Sequence, residues 1–202
     1  MRARKVLIVG LLVISTVIMF KIIINDYHTN SIKAEKKKMI TLINKKFDDT
    51  VKQQEIKGNS IPIKIGTKNN KKVDASIVGK IIIDKINLDY PILEGSTEDN
   101  LSVSITKFHG SKINSTGNCI LAGHNMKDGT LFGKLRTVGK DDSIWLYDNL
   151  GSKKEYKVFS VKVVAPTDVS VLSQDTDNRC WITLITCSNQ GEKRLIVQAK
   201  QM

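Results

Sequence analysis

The sequence predicts an all-β domain with minor helices, preceded by a helical N-terminal region. Short runs rich in Ile and Val, bounded by Gly, Asp or Asn, recur after residue 77, and little helical periodicity interrupts them. The predicted strands are residues 78–83, 88–93, 118–122, 143–147, 156–164, 181–186 and 194–199, and residues 101–106 form either an eighth strand or a short helix. Seven or eight strands in about 125 residues are typical of a closed β-barrel or a β-sandwich.

The N-terminal region begins with a predicted membrane anchor, residues 1–24. Residues 6–20 contain no charged side chain, and the apolar run continues as Ile22–Ile24 after Lys21. About 19 such residues approach the length of helix needed to cross a bilayer. Three cations, Arg2, Arg4 and Lys5, precede the run, which places the N-terminus in the cytoplasm and the rest of the chain outside. The alternative is a cleaved signal peptide, but no small-x-small cleavage site follows Ile24.

Residues 25–74 are predicted to form a basic stalk or linker that contains an amphipathic helix. Met39, Ile43, Phe47 and Val51 recur at every fourth position and so lie on one helix face. The preferred interpretation is a stalk helix that packs on the folded domain, and the alternative is a helix that binds a membrane surface or a partner. Residues 75–202 then form the predicted β-barrel domain.

The distribution of charge excludes nucleic acid as the partner. The 202-residue chain has 32 Lys and Arg against 20 Asp and Glu, a net charge of +12. Residues 1–24 carry +4 of this excess, residues 25–74 carry +6, and residues 75–202 only +2. The predicted β-domain therefore lacks the concentrated positive charge that phosphate binding requires.

The motifs leave a cysteine nucleophile with a histidine partner as the plausible chemistry. The three Cys and three His have none of the short paired spacings of a zinc site, and the sequence contains no phosphate-binding glycine loop and no G-x-S-x-G motif. Cys187 ends an apolar strand and is followed by polar residues, and His124 also lies just past a strand. Arg194 opens the next strand, where a guanidinium could stabilise a thiolate or an oxyanion. Position alone leaves structural roles open for all three.

Two segments resemble the sortases, the cell-wall transpeptidases of Gram-positive bacteria. Residues 183–187, Thr-Leu-Ile-Thr-Cys, resemble the T-L-x-T-C signature of that family, and residues 116–124 are similar to its G-N-x-x-I-A-G-H segment. The resemblance implies a closed β-barrel, with Cys187 as nucleophile, His124 as proton carrier and Arg194 as the group that holds substrate or oxyanion. It implies no metal and no cofactor.

The same resemblance implies partners and a location. The substrates would be secreted proteins with an LPxTG-like sorting signal, and the acceptor would be an amine of a peptidoglycan precursor or a pilin. Residues 123–135 resemble class B sortases, whereas the short link from Ala165 to Cys180 is closer to class D or class A. The domain would face the cell exterior on a single membrane span.

Three other readings are weaker. An L,D-transpeptidase would carry a Ser-His-Gly-Cys type motif, and residues 186–188 depart from it. In papain-like proteases the Cys precedes the His, which is the reverse of the order here. In a non-enzymatic surface β-domain, Cys187 would be a core residue. His109 is interpreted as a structural residue.

Overall fold

A computed structural model describes the backbone of residues 2–53, 61–66 and 72–202, and the side chains of residues 14–35, 37–51 and 75–202. The described part of the chain contains two α-helices, α1 (Arg2–Gln53) and α2 (Glu98–Val103). Its strands are β1 (Ile61–Gly66), β2 (Lys72–Ile83), β3 (Leu88–Glu94), β4 (Ile105–Gly110), β5 (Gly117–Ala122), β6 (Ser143–Asp148), β7 (Lys153–Val164), β8 (Cys180–Ser188) and β9 (Lys193–Gln201).

Eight of these strands close into a barrel. The strand order is β1-β2-β3-β4-β5-β8-β9-β7-β6, and β6 also pairs with β2, which completes the circle. β1 lies outside this circle, paired only with the first half of β2. The predicted closed barrel is confirmed, and closure leaves the eight strands with no free sheet edge along their paired lengths.

All seven predicted strands are present, with ends that differ by a few residues. The ambiguous stretch 101–106 contains both alternatives, because α2 ends at Val103 and β4 begins at Ile105. Thr97 caps α2 by accepting a hydrogen bond from the Asn100 N–H at 3.2 Å. The stalk region also contains a strand, β1, that the sequence analysis did not predict. The composition of residues 58–60 and 68–72 predicts a linker; of these, only Lys72 is among the described residues, and it begins β2.

The core fills the inside of the barrel with alternate residues of each strand. On β8 the inward side chains are Ile182 and Leu184, and on β9 they include Leu195 and Val197. Tyr156 is fully buried among them, and its hydroxyl donates to Asn114 Oδ1 at 3.2 Å. Burial raises the pKa of this phenol, so Tyr156 remains a neutral hydrogen-bond donor.

The chain divides into two compact units, Met1–Thr41 and Leu42–Met202. Within the second unit the end of α1 is docked by its apolar face, since Ile43 is 4% exposed and Phe47 is 1% exposed. Two polar contacts flank this face: Asn44 Nδ2 donates to Asp89 at 3.3 Å, and Asp48 pairs with Lys80 at 3.6 Å. At these positions the helix therefore packs on the rest of the second unit.

The predicted membrane span was not recovered in the structure. Among the residues whose side chains the structure describes, no helix is long and apolar enough to cross a membrane. Residues 6–13 of the predicted span lie outside the side chains that the structure describes.

The docked face of α1 yields a stability prediction. Phe47→Ala should lower the free energy of unfolding by about 3–5 kcal/mol, because it leaves a cavity under a side chain that is 1% exposed. Thermal unfolding of the detergent-solubilised full chain, followed by tryptophan fluorescence, measures the change. Leu42→Ala is the matched control on the same helix, since Leu42 is 59% exposed and should cost about 0.5 kcal/mol or less. Equal shifts for the two variants would contradict the docking of this face.

Candidate active site

The parallel pairing of β5 with β8 brings the predicted histidine and cysteine to the same end of the barrel. The ladder runs from Gly117 opposite Cys180 to Ala122 opposite Ile185. One more backbone bond extends it, from Gly123 N–H to the Ile185 carbonyl at 3.2 Å. His124 and Cys187 therefore both follow the last paired residues of two adjacent strands.

The antiparallel pairing of β8 with β9 places Arg194 directly opposite Cys187. Directly opposite residues in an antiparallel ladder point to the same face of the sheet. Cys187 is exposed, and Arg194 is half-buried. The Arg194 guanidinium uses Nη1 to donate to the Gly191 carbonyl at 2.8 Å and to the Lys193 carbonyl at 3.1 Å. Arg194 thus lies beside the thiol but its side chain is folded onto the turn between the two strands.

His124 is held by its backbone and partly open at its ring. Its carbonyl accepts from Phe132 N–H at 3.0 Å, and the preceding Gly123 leaves no space for a side chain. A Cβ at Gly123 would lie 2.7 Å from both Ile105 Cδ1 and Phe132 Cδ2. The imidazole is 36% exposed, with Nε2 at 3.8 Å from the highly exposed Glu98 carboxylate. Such an exposed contact adds little energy, so the backbone is what fixes the histidine.

The two threonines of the T-L-x-T-C segment tie β8 to β5. Thr183 donates its hydroxyl to Asn118 Oδ1 at 2.8 Å, and Thr186 donates to the Gly123 carbonyl at 2.7 Å. Both threonines are buried, so each bond satisfies a polar group that has little access to water. The two segments singled out in the sequence are therefore hydrogen-bonded to each other.

The segment 165–179 borders the outward face of the barrel, on which Cys187 and Arg194 lie. It begins after Val164, which pairs with Arg194, and it ends at Cys180 at the far end of the β5–β8 ladder. Midway it is anchored by the buried Asn118, whose amide donates to the Val171 and Ser173 carbonyls, both at 3.1 Å. Thr183 and Cys187 both lie on this outward face of β8, because residues four positions apart on a strand share a face. The segment 165–179 is therefore on the same side of β8 as the thiol.

The other two cysteines differ from Cys187 in their surroundings. Cys119 is buried in the barrel, and burial raises the pKa of its thiol to about 12. Cys180 is half-buried, and its thiol donates to the Asn114 carbonyl at 3.8 Å. In the described part of the chain, no three His, Cys, Asp or Glu side chains cluster as a metal site would require. His109 is exposed on β4.

Two side-chain hydrogen bonds at this end of the barrel were not predicted from the sequence. Asn125 donates its side-chain amide to the Cys187 carbonyl at 2.8 Å, and Arg136 Nη2 donates to the Ser188 hydroxyl at 3.3 Å. Asn125 adjoins His124 in the sequence, but no residue pattern indicates that its side chain reaches the cysteine strand. Both contacts depend on the path of the loop after β5.

Comparison with known proteins agrees with this architecture. The sortase domain family model matches residues 81–202. Sortase A of Bacillus anthracis is 37% identical over 124 residues, which cover 60% of this chain and 58% of that protein. Among solved structures, a Clostridium perfringens sortase D5 transpeptidase has a TM-score of 0.62 at 26% identity and covers 83% of this chain and 98% of that one. Listeria monocytogenes sortase A has a TM-score of 0.58 at 31% identity and covers 62% and 87%.

The family match spans more than half of the chain, and the chain belongs to the sortase family. Relatives named sortase A and sortase D both match it, so the comparisons support the family and not one class within it. The chain spans a little over half the length of the Bacillus anthracis and Listeria monocytogenes sortase A proteins, 58% and 52%.

The contrast between the cysteines predicts selective alkylation. Iodoacetamide at pH 8 should modify Cys187 in the folded protein and leave Cys119 unmodified, because a thiol of pKa about 12 is only about one part in ten thousand thiolate at that pH. Peptide mass spectrometry of the labelled protein measures both sites. In urea both cysteines should react at similar rates. Modification of Cys119 in the folded state as fast as Cys187 would contradict the burial of its thiol.

Proposed function

We propose that this sortase is a cysteine transpeptidase, which cleaves an LPxTG-like sorting signal and transfers the protein to an amine through a thioester. The observation that carries the proposal is the alignment of Cys187 opposite Arg194, with the His124 segment hydrogen-bonded to the same strand. A nucleophile, a proton carrier and a cation on fixed strand ends are the parts that acyl transfer requires.

In the first half of the reaction, Cys187 Sγ attacks the carbonyl carbon of the Thr residue in the sorting signal. The tetrahedral intermediate collapses as the bond from this carbon to the Gly nitrogen breaks, and a thioester to Cys187 remains. The proton lost by the thiol passes through His124 to the leaving amine. The exposure of Cys187 and the partial exposure of His124 leave room for a peptide to reach both groups.

In the second half, an acceptor amine attacks the thioester carbonyl, and an amide bond forms while the carbon–sulfur bond breaks. His124 accepts the proton of the attacking amine, and the thiol is regenerated. The acceptor is an amine of a peptidoglycan precursor or of a pilin.

Arg194 would stabilise the negative oxygen of each tetrahedral intermediate or hold the backbone of the sorting signal. Its described hydrogen bonds go to the carbonyls of Gly191 and Lys193, both at an exposed turn. A guanidinium carries five N–H donors, so bonds to a bound peptide can replace these two without leaving a donor unpaired. The guanidinium can therefore turn toward the reacting carbonyl when substrate is bound.

The N-terminal sequence supports a location of this chemistry outside the cell. Residues 1–24 form a single-pass anchor with a cytoplasmic N-terminus, residues 25–74 a basic stalk, and residues 75–202 the extracellular catalytic domain. The uncharged run of residues 6–20 and the cations before it support this arrangement.

Thioester trapping tests the chemistry. With an LPxTG-type peptide and hydroxylamine, the full chain should release the C-terminal part of the peptide, and Cys187→Ala should abolish release. His124→Ala and Arg194→Ala should each slow release by about 100-fold or more, because a proton carrier and an oxyanion donor each contribute that much. Liquid chromatography of the peptide products measures the rate.

Cys180→Ala is the matched control, since its half-buried thiol is bonded to the Asn114 carbonyl and should not be required. Release by Cys187→Ala at the normal rate would exclude Cys187 as the nucleophile, and normal rates in the other variants would remove His124 or Arg194 from the mechanism.

Membrane fractionation tests the anchor. The full chain should stay in the membrane pellet after alkaline carbonate extraction, because an apolar span is not held by charge. A variant without residues 1–24 should be soluble. A membrane-impermeant maleimide should label Cys187 in intact cells if the catalytic domain lies outside. Extraction of the full chain by carbonate would contradict a spanning helix, and protection of Cys187 would contradict the orientation.

A further inference from the structure

We infer that Asn125 is a positioning residue, whose side-chain amide fixes the nucleophile strand relative to the histidine. This inference rests on the proposed function of Cys187 and His124. Asn125 Nδ2 donates to the Cys187 carbonyl at 2.8 Å. A carbonyl accepts only from the N–H side of an amide, so this contact also sets the orientation of the Asn125 side chain.

The bond lies where the regular pairing of the two strands has ended. The last paired residues are Ala122 and Ile185, followed by the bonds of Gly123 with Ile185 and Thr186. Beyond them, Asn125 supplies the described link between the β5 side and Cys187. It takes the place of a ladder hydrogen bond at the position where the chemistry occurs.

The backbone of Asn125 is itself held, so the amide can act as a fixed support. Asn125 forms an isolated bridge with Leu131, and Phe132 N–H donates to the carbonyl of His124 at 3.0 Å. Leu131 has a φ of 51°, a left-handed conformation that a branched side chain rarely adopts, and its N–H donates to the Tyr90 hydroxyl at 3.4 Å. The loop that carries His124 thus returns on itself and holds Asn125 against β8.

The consequence concerns the reacting atoms and not the fold. On its other side Cys187 pairs with Arg194, so the amide of Asn125 and the β9 ladder hold Cys187 from both directions. Without the amide the Cys187 end of β8 can shift relative to His124. A small displacement between a nucleophile and its proton carrier lowers the rate of the chemical step more than it weakens substrate binding.

The test compares two variants of the full chain. Asn125→Leu keeps the shape of the side chain without its N–H donors, and Asn125→Ala removes both. Each should lower kcat for release of an LPxTG-type peptide about fivefold, the size expected for one hydrogen bond, with KM changed less than about twofold. Lys127→Ala, at an exposed position of the same loop, is the matched control and should leave both constants unchanged.

Coupling to the histidine separates positioning from a general loss of stability. In a His124→Ala background, Asn125→Leu should cause no further loss of rate, because the distance it sets no longer matters. A full additional fivefold loss in that background would overturn the inference. So would wild-type kcat in Asn125→Leu.

A measurement without peptide distinguishes failure of this inference from failure of the proposed function. The rate of Cys187 alkylation by iodoacetamide at pH 7 should fall in Asn125→Leu toward the rate in His124→Ala. If the wild-type chain released no peptide but this pattern held, the transpeptidase proposal would fail and the positioning role would stand. If peptide were released and alkylation in Asn125→Leu matched the wild type, the positioning role would be wrong.

Discussion

The parallel pairing of β5 with β8 is the constraint on which the rest of the site depends. Parallel neighbours end at the same edge of a sheet, so this pairing alone carries His124 and Cys187 to one end of the barrel. Two buried side-chain bonds, from Thr183 to Asn118 and from Thr186 to Gly123, hold it in register. A shift of one residue would turn Cys187 toward the barrel interior, so these bonds fix the face of the thiol as well as its position.

Closure of the barrel converts that local pairing into a rigid support. β8 is bordered by β5 on one side and by β9 on the other, and β9 continues through β7 and β6 to β2. The ends of three adjacent strands therefore move as one body, which suits chemistry that requires fixed distances. Cys187 is exposed at the end of β8 and His124 lies in the loop after β5, so substrate can reach both without opening the core.

The strands could be predicted from the sequence because their Ile and Val content and their bounding turns are local signals. The position of Arg194 beside Cys187 could also be predicted, because Arg194 follows Cys187 by seven positions across one turn. The sequence left residues 101–106 ambiguous, since this stretch contains both the end of α2 and the start of β4. Asn125 was not predicted as a contact of Cys187, because that contact is set by the loop from residue 125 to Leu131. A bond between a side chain and a distant backbone carbonyl leaves no periodic pattern.

The net charge of the chain is distributed unevenly between the N-terminal region and the β-domain. The +12 excess is concentrated in the first 74 residues, and residues 75–202 carry only +2. Residues 75–202 therefore lack the concentrated positive charge that attracts a polyanion, and in the proposed mechanism the functional guanidinium is that of Arg194. It bonds to the turn between β8 and β9, while Arg194 itself pairs with Cys187 across the two strands. In the proposed mechanism, this cation exchanges its carbonyl partners for the negative oxygen of the tetrahedral intermediate once substrate is bound.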